Sequence, residues 1–222
     1  MTATTLLADA DYARILNARL DEPASLPRAR AGRPRRPLLG EDRRLMILAA
    51  DHTARGMLSV GADPLAVADR RTLLSRLALG LDNPQVDGVL ASADILEELA
   101  ILGALDRKLA IGTMNRGGIR GSSWELDDRL TAYDVDHVVS SGLDGGKTLL
   151  RIEPTDAGVA RTIETVGRVT TALADAGVMS LVEPLPYLKD AAGNAFLDPS
   201  EAALVRAVAI ASGLGSSRRS PG

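Results

Sequence analysis

Cysteine is absent from the 222 residues, so disulfides, thiolate-bound zinc and cysteine nucleophiles are excluded. Aromatic residues make up only 2% of the chain, too few to furnish stacking platforms for single-stranded nucleic acid. Lysine occurs only at Lys108, Lys147 and Lys189, and histidine only at His52 and His137. A mechanism needing an amine therefore has three candidates, and neither a catalytic metal nor a cofactor is expected. No apolar run approaches the roughly 20 residues that span a bilayer. Residues 1–9 lack the basic start and apolar core of a signal peptide. The formal net charge of −3 gives no general pull toward nucleic acid or anionic membranes. The expected compartment is the cytoplasm.

What is present is the composition of a globular enzyme, 45% hydrophobic and 25% charged. Apolar runs of strand length recur at residues 45–50, 86–91, 109–114, 148–152 and 178–182, each stopping at polar residues. Between most of them lies room for a helix, predicted at 64–81, 95–105, 159–175 and 199–211. That alternation predicts an α/β fold with a parallel sheet whose chemistry gathers at the carboxyl ends of the strands. About five β/α units are legible, where a closed (β/α)8 barrel needs eight, so an incomplete TIM-type barrel is expected. Residues 41–211 would form it. Residues 1–40 would supply an amphipathic helix at 7–20 and an irregular Arg/Pro-rich connector, and residues 212–222 an irregular tail. The connector's arginines suit either phosphate contacts or plain solvation, and the proline content favours solvation.

Several strand ends carry candidate chemistry. Asp51-His52, with Arg55, closes the first strand, where a carboxylate and an imidazole can bind a hydroxyl, relay a proton or simply cap a loop. Asp94 follows the second strand. Glu183 is placed at the end of the fifth, a position for acid/base work or for an ordinary salt bridge. Asn115, Arg116 and Arg151 are candidate anion ligands, and Glu153 closes the fourth strand. Residues 141–148 nearly match a phosphate-binding P-loop, but Ser141 replaces its first glycine and a strand follows instead of the helix. Lys147 then begins a strand that Glu153 ends, about 20 Å away at roughly 3.3 Å per residue. That places Lys147 at the amino end, where a structural or gating role competes with that of an amine nucleophile. Lys108 is expected to be solvated and Lys189 to sit exposed in a loop, while His137 would start a strand.

The stretch Ala49-Ala50-Asp51-His52-Thr53-Ala54-Arg55-Gly56, with residues 89–99, 124–128, 142–153 and 181–184, carries a family resemblance. The chain resembles the actinobacterial (β/α)8 aldolase-like proteins, often labelled deoxyribose-phosphate aldolase and found beside inositol-catabolism genes. It is more distantly similar to class I tagatose-bisphosphate and fructose-bisphosphate aldolases. The resemblance runs from about residue 43 to residue 217. It implies Schiff-base cleavage of a phosphorylated sugar, with deoxyribose 5-phosphate and 6-phospho-5-dehydro-2-deoxygluconate fitting equally, and a homo-oligomer is expected. Asp51 matches the relatives' strand-one aspartate and Glu183 their acid/base glutamate. Lys147 matches a strand-four lysine that is not their imine-forming residue, which stands on strand six. Past residue 217 this sequence departs into Arg218-Arg219-Ser220-Pro221-Gly222, so a truncated or frameshifted aldolase is expected. The alternative is a non-catalytic half-barrel that works only with a partner chain.

Overall fold

A computed structural model describes residues 6–115 and 117–216. It is an α/β fold with a six-stranded sheet whose strands follow chain order, as in an incomplete (β/α)8 barrel. The chain divides into two compact units, residues 1–112 with 140–144, and residues 113–139 with 145–222. Among the described residues, no helix is long and apolar enough to cross a membrane.

The first unit opens with α1 (Asp9–Leu20) and α2 (Ser25–Gly32) and continues through β1 (Ile47–Ala50), α3 (Arg70–Asp82), β2 (Gly88–Ala91), α4 (Ala93–Ile101) and most of β3 (Leu109–Thr113). β1 and β3 flank β2 in parallel, with Ile47 opposite Gly88 and Gly88 opposite Leu109. Gly88 is required there, because a Cβ would lie 2.3 Å from the Leu109 carbonyl oxygen. Leu74, Leu81, Ile95, Leu96 and Leu99 bury the helices' inner faces completely or nearly so, each contributing about 1.5–3 kcal/mol. α3 starts six residues later than its apolar spacing suggested, because Asp69 caps it by accepting from the Thr72 N–H at 2.7 Å.

The connector is not irregular. Pro27 falls in the first turn of α2, where the backbone N–H has no helical partner to lose. Nor are its arginines merely solvated. Arg33, 2% exposed at its side chain, bonds Asp144 at 2.5 Å and the Lys108 carbonyl at 2.8 Å. Arg30 meets Glu97 at 2.9 Å, and Arg36 pairs with Asp87. On α1, Ile15 and Ala18 turn inward, while Leu16 and Leu20 stay exposed.

The second unit contains α5 (Val135–Ser140), β4 (Gly145–Ile152), α6 (Val159–Asp175), β5 (Met179–Lys189), β6 (Ala195–Leu197) and α7 (Glu201–Ser212). β4 and β5 pair in parallel from Gly145 opposite Met179 to Ile152 opposite Pro186. β6 returns antiparallel along the end of β5, an element the sequence reading did not contain. Leu150 and Ile152 of β4 pack with Val166 of α6 and Ala207 of α7. Because side chains alternate along a strand, Lys147, Leu149 and Arg151 face the opposite side. α5 replaces the strand start expected around His137, since Asp134 accepts the His137 N–H at 2.8 Å and its own carbonyl accepts from Val138. Ser200 caps α7 by accepting from the Ala203 N–H.

Candidate active site

In the first unit the polar candidates sit where the sequence placed them, just past strand ends. Asp51 is 4% exposed and directly follows β1. A 3-10 turn, His52–Arg55, carries the chain away and closes on Gly56, whose left-handed backbone (φ 71°) frees the Gly56 and Met57 N–H groups to bond back into the turn. His52 Nδ1 lies 3.6 Å from Asp51 Oδ1, too far for a hydrogen bond, and its ring is half exposed. A cavity of about 300 Å3 opens beside this turn, lined by His52, Thr53, Met57 and apolar side chains of β1 and α3.

Past β2, Ser92 donates its hydroxyl to Asp94 at 2.5 Å, and Arg70 Nη1 reaches the other Asp94 oxygen at 2.9 Å. Burial pushes the Asp94 carboxyl up, but Ser92, Arg70 and the Ile95 N–H outweigh it and leave it below its ordinary value. Arg70 also bonds Glu98 at 2.6 Å, and Arg19 bonds the same carboxylate at 2.8 Å. Neither Arg70 nor Glu98 was singled out from the sequence, because their partners arrive from different helices.

In the second unit, Lys147 Nζ stands 2.6 Å from Glu183 Oε2. The lysine side chain is 4% exposed and the glutamate 46%, so a buried ammonium meets a carboxylate open to solvent. Register explains the meeting. Lys147 lies opposite Leu181, and Glu183 lies opposite Leu149, so the two share one face of neighbouring strands, offset by two residues. Glu183 is not at the end of its strand. β5 runs on through Pro184 and Pro186 to Lys189, with β6 reaching only as far back as Tyr187. Proline is tolerated along such an open edge, where a lost N–H removes no ladder bond.

The remaining candidates of this unit are engaged inside the fold. Arg151 forks onto Asp128, with Nε 2.9 Å from Oδ2 and Nη2 2.5 Å from the Glu125 carbonyl, and stacks 4.6 Å from the Trp124 ring. Its charge is already neutralised by a buried carboxylate, which leaves it ill-suited to grip phosphate. Asn115 imitates a strand neighbour, accepting from Leu149 N–H at 2.7 Å and donating to Leu149 O at 2.9 Å. Glu153 accepts from the Thr155 hydroxyl at 2.8 Å. Arg116 lies outside the described residues.

Lys189 ends β5 instead of lying in a loop, and it bonds Asp156 at 2.7 Å. That bond lowers the Asp156 carboxyl to about 2, helped by the Gly158 N–H and Trp124 Nε1 and opposed by burial. The same bond raises the Lys189 amine, which keeps it protonated and unfit as a nucleophile. Lys108 Nζ donates to the Asn83 and Val86 carbonyls at 3.0 and 2.7 Å. Of the three lysines, then, Lys147 is the buried one on a strand face beside a carboxylate. His137 Nδ1 contacts Asp134 at 2.7 Å on the surface. Among the described residues, no group of three or more His, Asp or Glu side chains is placed to hold a metal ion.

Asp128, Trp124 and Asp156 were missed as structural partners of the candidates. The signal available was the sole tryptophan following a glycine-rich loop, but nothing local pairs Asp128 with Arg151, 23 positions away.

The profile of the Cgl0159-like family matches residues 43–220. The crystal structure of Cgl0159 from Corynebacterium glutamicum is similar with a TM-score of 0.89 and 43% identity, covering 94% of this chain and 70% of that one. An archaeal fructose 1,6-bisphosphate aldolase is similar at a TM-score of 0.48 and 20% identity, covering 72% of this chain and 57% of that one. A second structure of such an aldolase, with its catalytic Lys covalently bound to the carbinolamine intermediate of the substrate, gives 0.48 and 19%. No curated protein matches the sequence. With a family match over residues 43–220 and 43% identity across nearly its whole length, the chain belongs to the Cgl0159-like family.

Proposed function

We propose that this chain is an aldolase of the Schiff-base (class I) type, a carbon–carbon lyase acting on a phosphorylated sugar. Deoxyribose 5-phosphate and 6-phospho-5-dehydro-2-deoxygluconate both fit, the latter linking it to inositol catabolism. The observation that carries the reading is the Lys147–Glu183 pair at 2.6 Å, together with the sequence resemblance that gives Glu183 an acid/base role. In a retro-aldol cleavage, a lysine amine condenses with the sugar carbonyl and water leaves. The resulting iminium accepts the electron pair of the breaking C–C bond, while a base removes the proton of the hydroxyl on the departing carbon. The products are an aldehyde and an enamine, which is reprotonated and hydrolysed. Glu183, solvent-accessible and acceptor-rich, is the base in this reading, and the Lys147 ammonium is its proton partner. The resemblance assigns imine formation to a lysine on strand six of the relatives, and in this reading Lys147 serves Glu183 as its charged partner instead of forming the imine.

Incubation with deoxyribose 5-phosphate followed by borohydride reduction tests this. The expected result is a mass gain equal to the sugar phosphate less one oxygen, located by peptide mapping on a lysine. No adduct and no cleavage with either sugar would overturn the reading.

A second reading, a half-barrel that works by pairing with another chain, has one observation in its favour. In the second unit Leu204, Val205 and Val208 of α7 are exposed by 43–63%, and Phe196 and Leu197 of β6 by 48 and 44%. A concentration-dependent dimer without an imine would support it.

A further inference from the structure

The cavity beside the β1 turn is lined entirely by residues of the first unit. Its volume of about 300 Å3 is twice the roughly 150 Å3 that holds a benzene molecule. Ala50, Leu73 and Leu77, each 8% exposed, form its buried part, and Met57 and Val67 stand half-buried beside them. The loop that walls it is fixed by its own backbone. Met57 N–H bonds the His52 carbonyl at 3.2 Å, and Val67 N–H bonds the Leu58 carbonyl at 3.2 Å. Val60 and Asp63 exchange N–H···O bonds at 3.0 and 3.2 Å. The space is thus preformed, and a ligand entering it has little chain left to order. Its polar groups come from one stretch of that loop, His52, Thr53 and Ser59. No hydrogen bond among the described residues engages the Thr53 or Ser59 hydroxyl.

We propose that this cavity binds a small neutral amphiphile, a molecule of about ten non-hydrogen atoms with an apolar body and one hydroxyl or carbonyl head. The body gains by leaving water for Leu73, Leu77, Met57 and Val67. The head meets the Thr53 and Ser59 hydroxyls, each able to donate and to accept. Charge argues against an ionic ligand. The lining contains no Asp, Glu, Lys or Arg side chain, so a phosphate or carboxylate would give up its water without a fixed counter-charge. Asp51 Oδ1, 3.6 Å from His52 Nδ1, adds negative charge at the polar end. A sugar phosphate is therefore a poor fit, and the site stands apart from the aldolase reading in its chemistry.

The test uses the full chain with methionine methyls labelled with carbon-13 and benzyl alcohol as the probe. Among the described methionines only Met57 lines the cavity, and Met57→Leu assigns its resonance. The expected result is a saturable shift of the Met57 methyl while those of Met46, Met114 and Met179 stay still. Benzyl phosphate should bind at least about tenfold more weakly, the scale of one uncompensated polar burial. Val67→Trp should fill the space and abolish the shift. Thr53→Val, which keeps the side chain's shape, should weaken benzyl alcohol a few-fold and leave toluene unaffected, so the proposal stays testable if Val67→Trp does not fold. A Met57 methyl that stays still up to the solubility limit, or moves without saturating, overturns the proposal. Equal binding of benzyl phosphate overturns the neutral class of ligand, and binding retained in folded Val67→Trp overturns the location. A Met57 shift that follows protein concentration with no probe present would mean that a second copy fills the cavity, and overturns the proposal as well. Borohydride trapping of deoxyribose 5-phosphate succeeds or fails independently of each of these outcomes.

Discussion

Arg151 is buried to its tip, 4% exposed at the side chain, and its charge is tolerable there because Asp128, 0% exposed, meets it. Removing one partner of such a pair strands the other in low dielectric. Arg151→Met should therefore lower the unfolding free energy by about 3–5 kcal/mol, read by urea denaturation. The lone tryptophan, stacked on Arg151, should report the change in its emission. The Lys147–Glu183 pair differs, because Glu183 is half exposed and water can solvate it when Lys147 is removed. Lys147→Met and Glu183→Gln should each fold and each lower aldol cleavage at least about 100-fold, measured by aldehyde release. A pH dependence belongs to Asp156. Its folded carboxyl titrates at about 2, below the ordinary 3.8, so its stabilisation is present above about pH 4 and is lost as pH falls toward 2. Asp156→Asn should flatten that acid limb in Trp124-monitored unfolding. A limb of unchanged slope would show that Asp156 has no depressed value.

At the scale of elements, the apolar runs marked where strands lie, and the boundary errors trace to specific local groups. α6 occupies 159–175 as its spacing predicted, with Thr162, Val166, Val169 and Leu173 buried at helical intervals. α3 is shortened by the Asp69 cap, and α5 displaces a strand because the Asp134 side chain bonds the His137 N–H. Glu183 is expected at the end of its strand, yet β5 continues past it through Pro184 and Pro186 to Lys189. The Arg/Pro-rich connector is expected to be irregular, yet α2 takes in Pro27. Arg33, which anchors the end of α2, bonds Asp144 and two backbone carbonyls. Arg33→Ala should destabilise the first unit by about 3 kcal/mol, measured by hydrogen exchange at the amides of β3. Exchange unchanged there would mean that the N-terminal segment is decorative. Ser200→Ala should cost about 1 kcal/mol through the lost cap of α7.

For the whole molecule, two compact units and a sheet in chain order place the chain among β/α folds. The exposed row Leu204, Val205 and Val208 on α7 is the kind of apolar face that associates in water. Sedimentation velocity should show concentration-dependent association of the chain, and Val205→Glu with Val208→Glu should abolish it. A monomer at all concentrations would remove the support for the homo-oligomer and for the half-barrel reading together.

The sequence by itself determined the class of fold, the approximate place of five strands and the polar residues at their ends. Those depend on patterns within a few positions, the period of a strand or a helix and the residues that interrupt it. It also excluded chemistry that needs cysteine. Only the tertiary structure decided which of those polar residues remain available. Asn115, Arg151 and Glu153 looked like ligands and are bonded within the fold, while Asp94 and Glu183 keep exposed oxygens. Arg33 and Asp144 meet across 111 positions, and Lys147 meets Glu183 because strand register offsets them by two residues. Such meetings follow from how distant segments pack, and no local pattern encodes them.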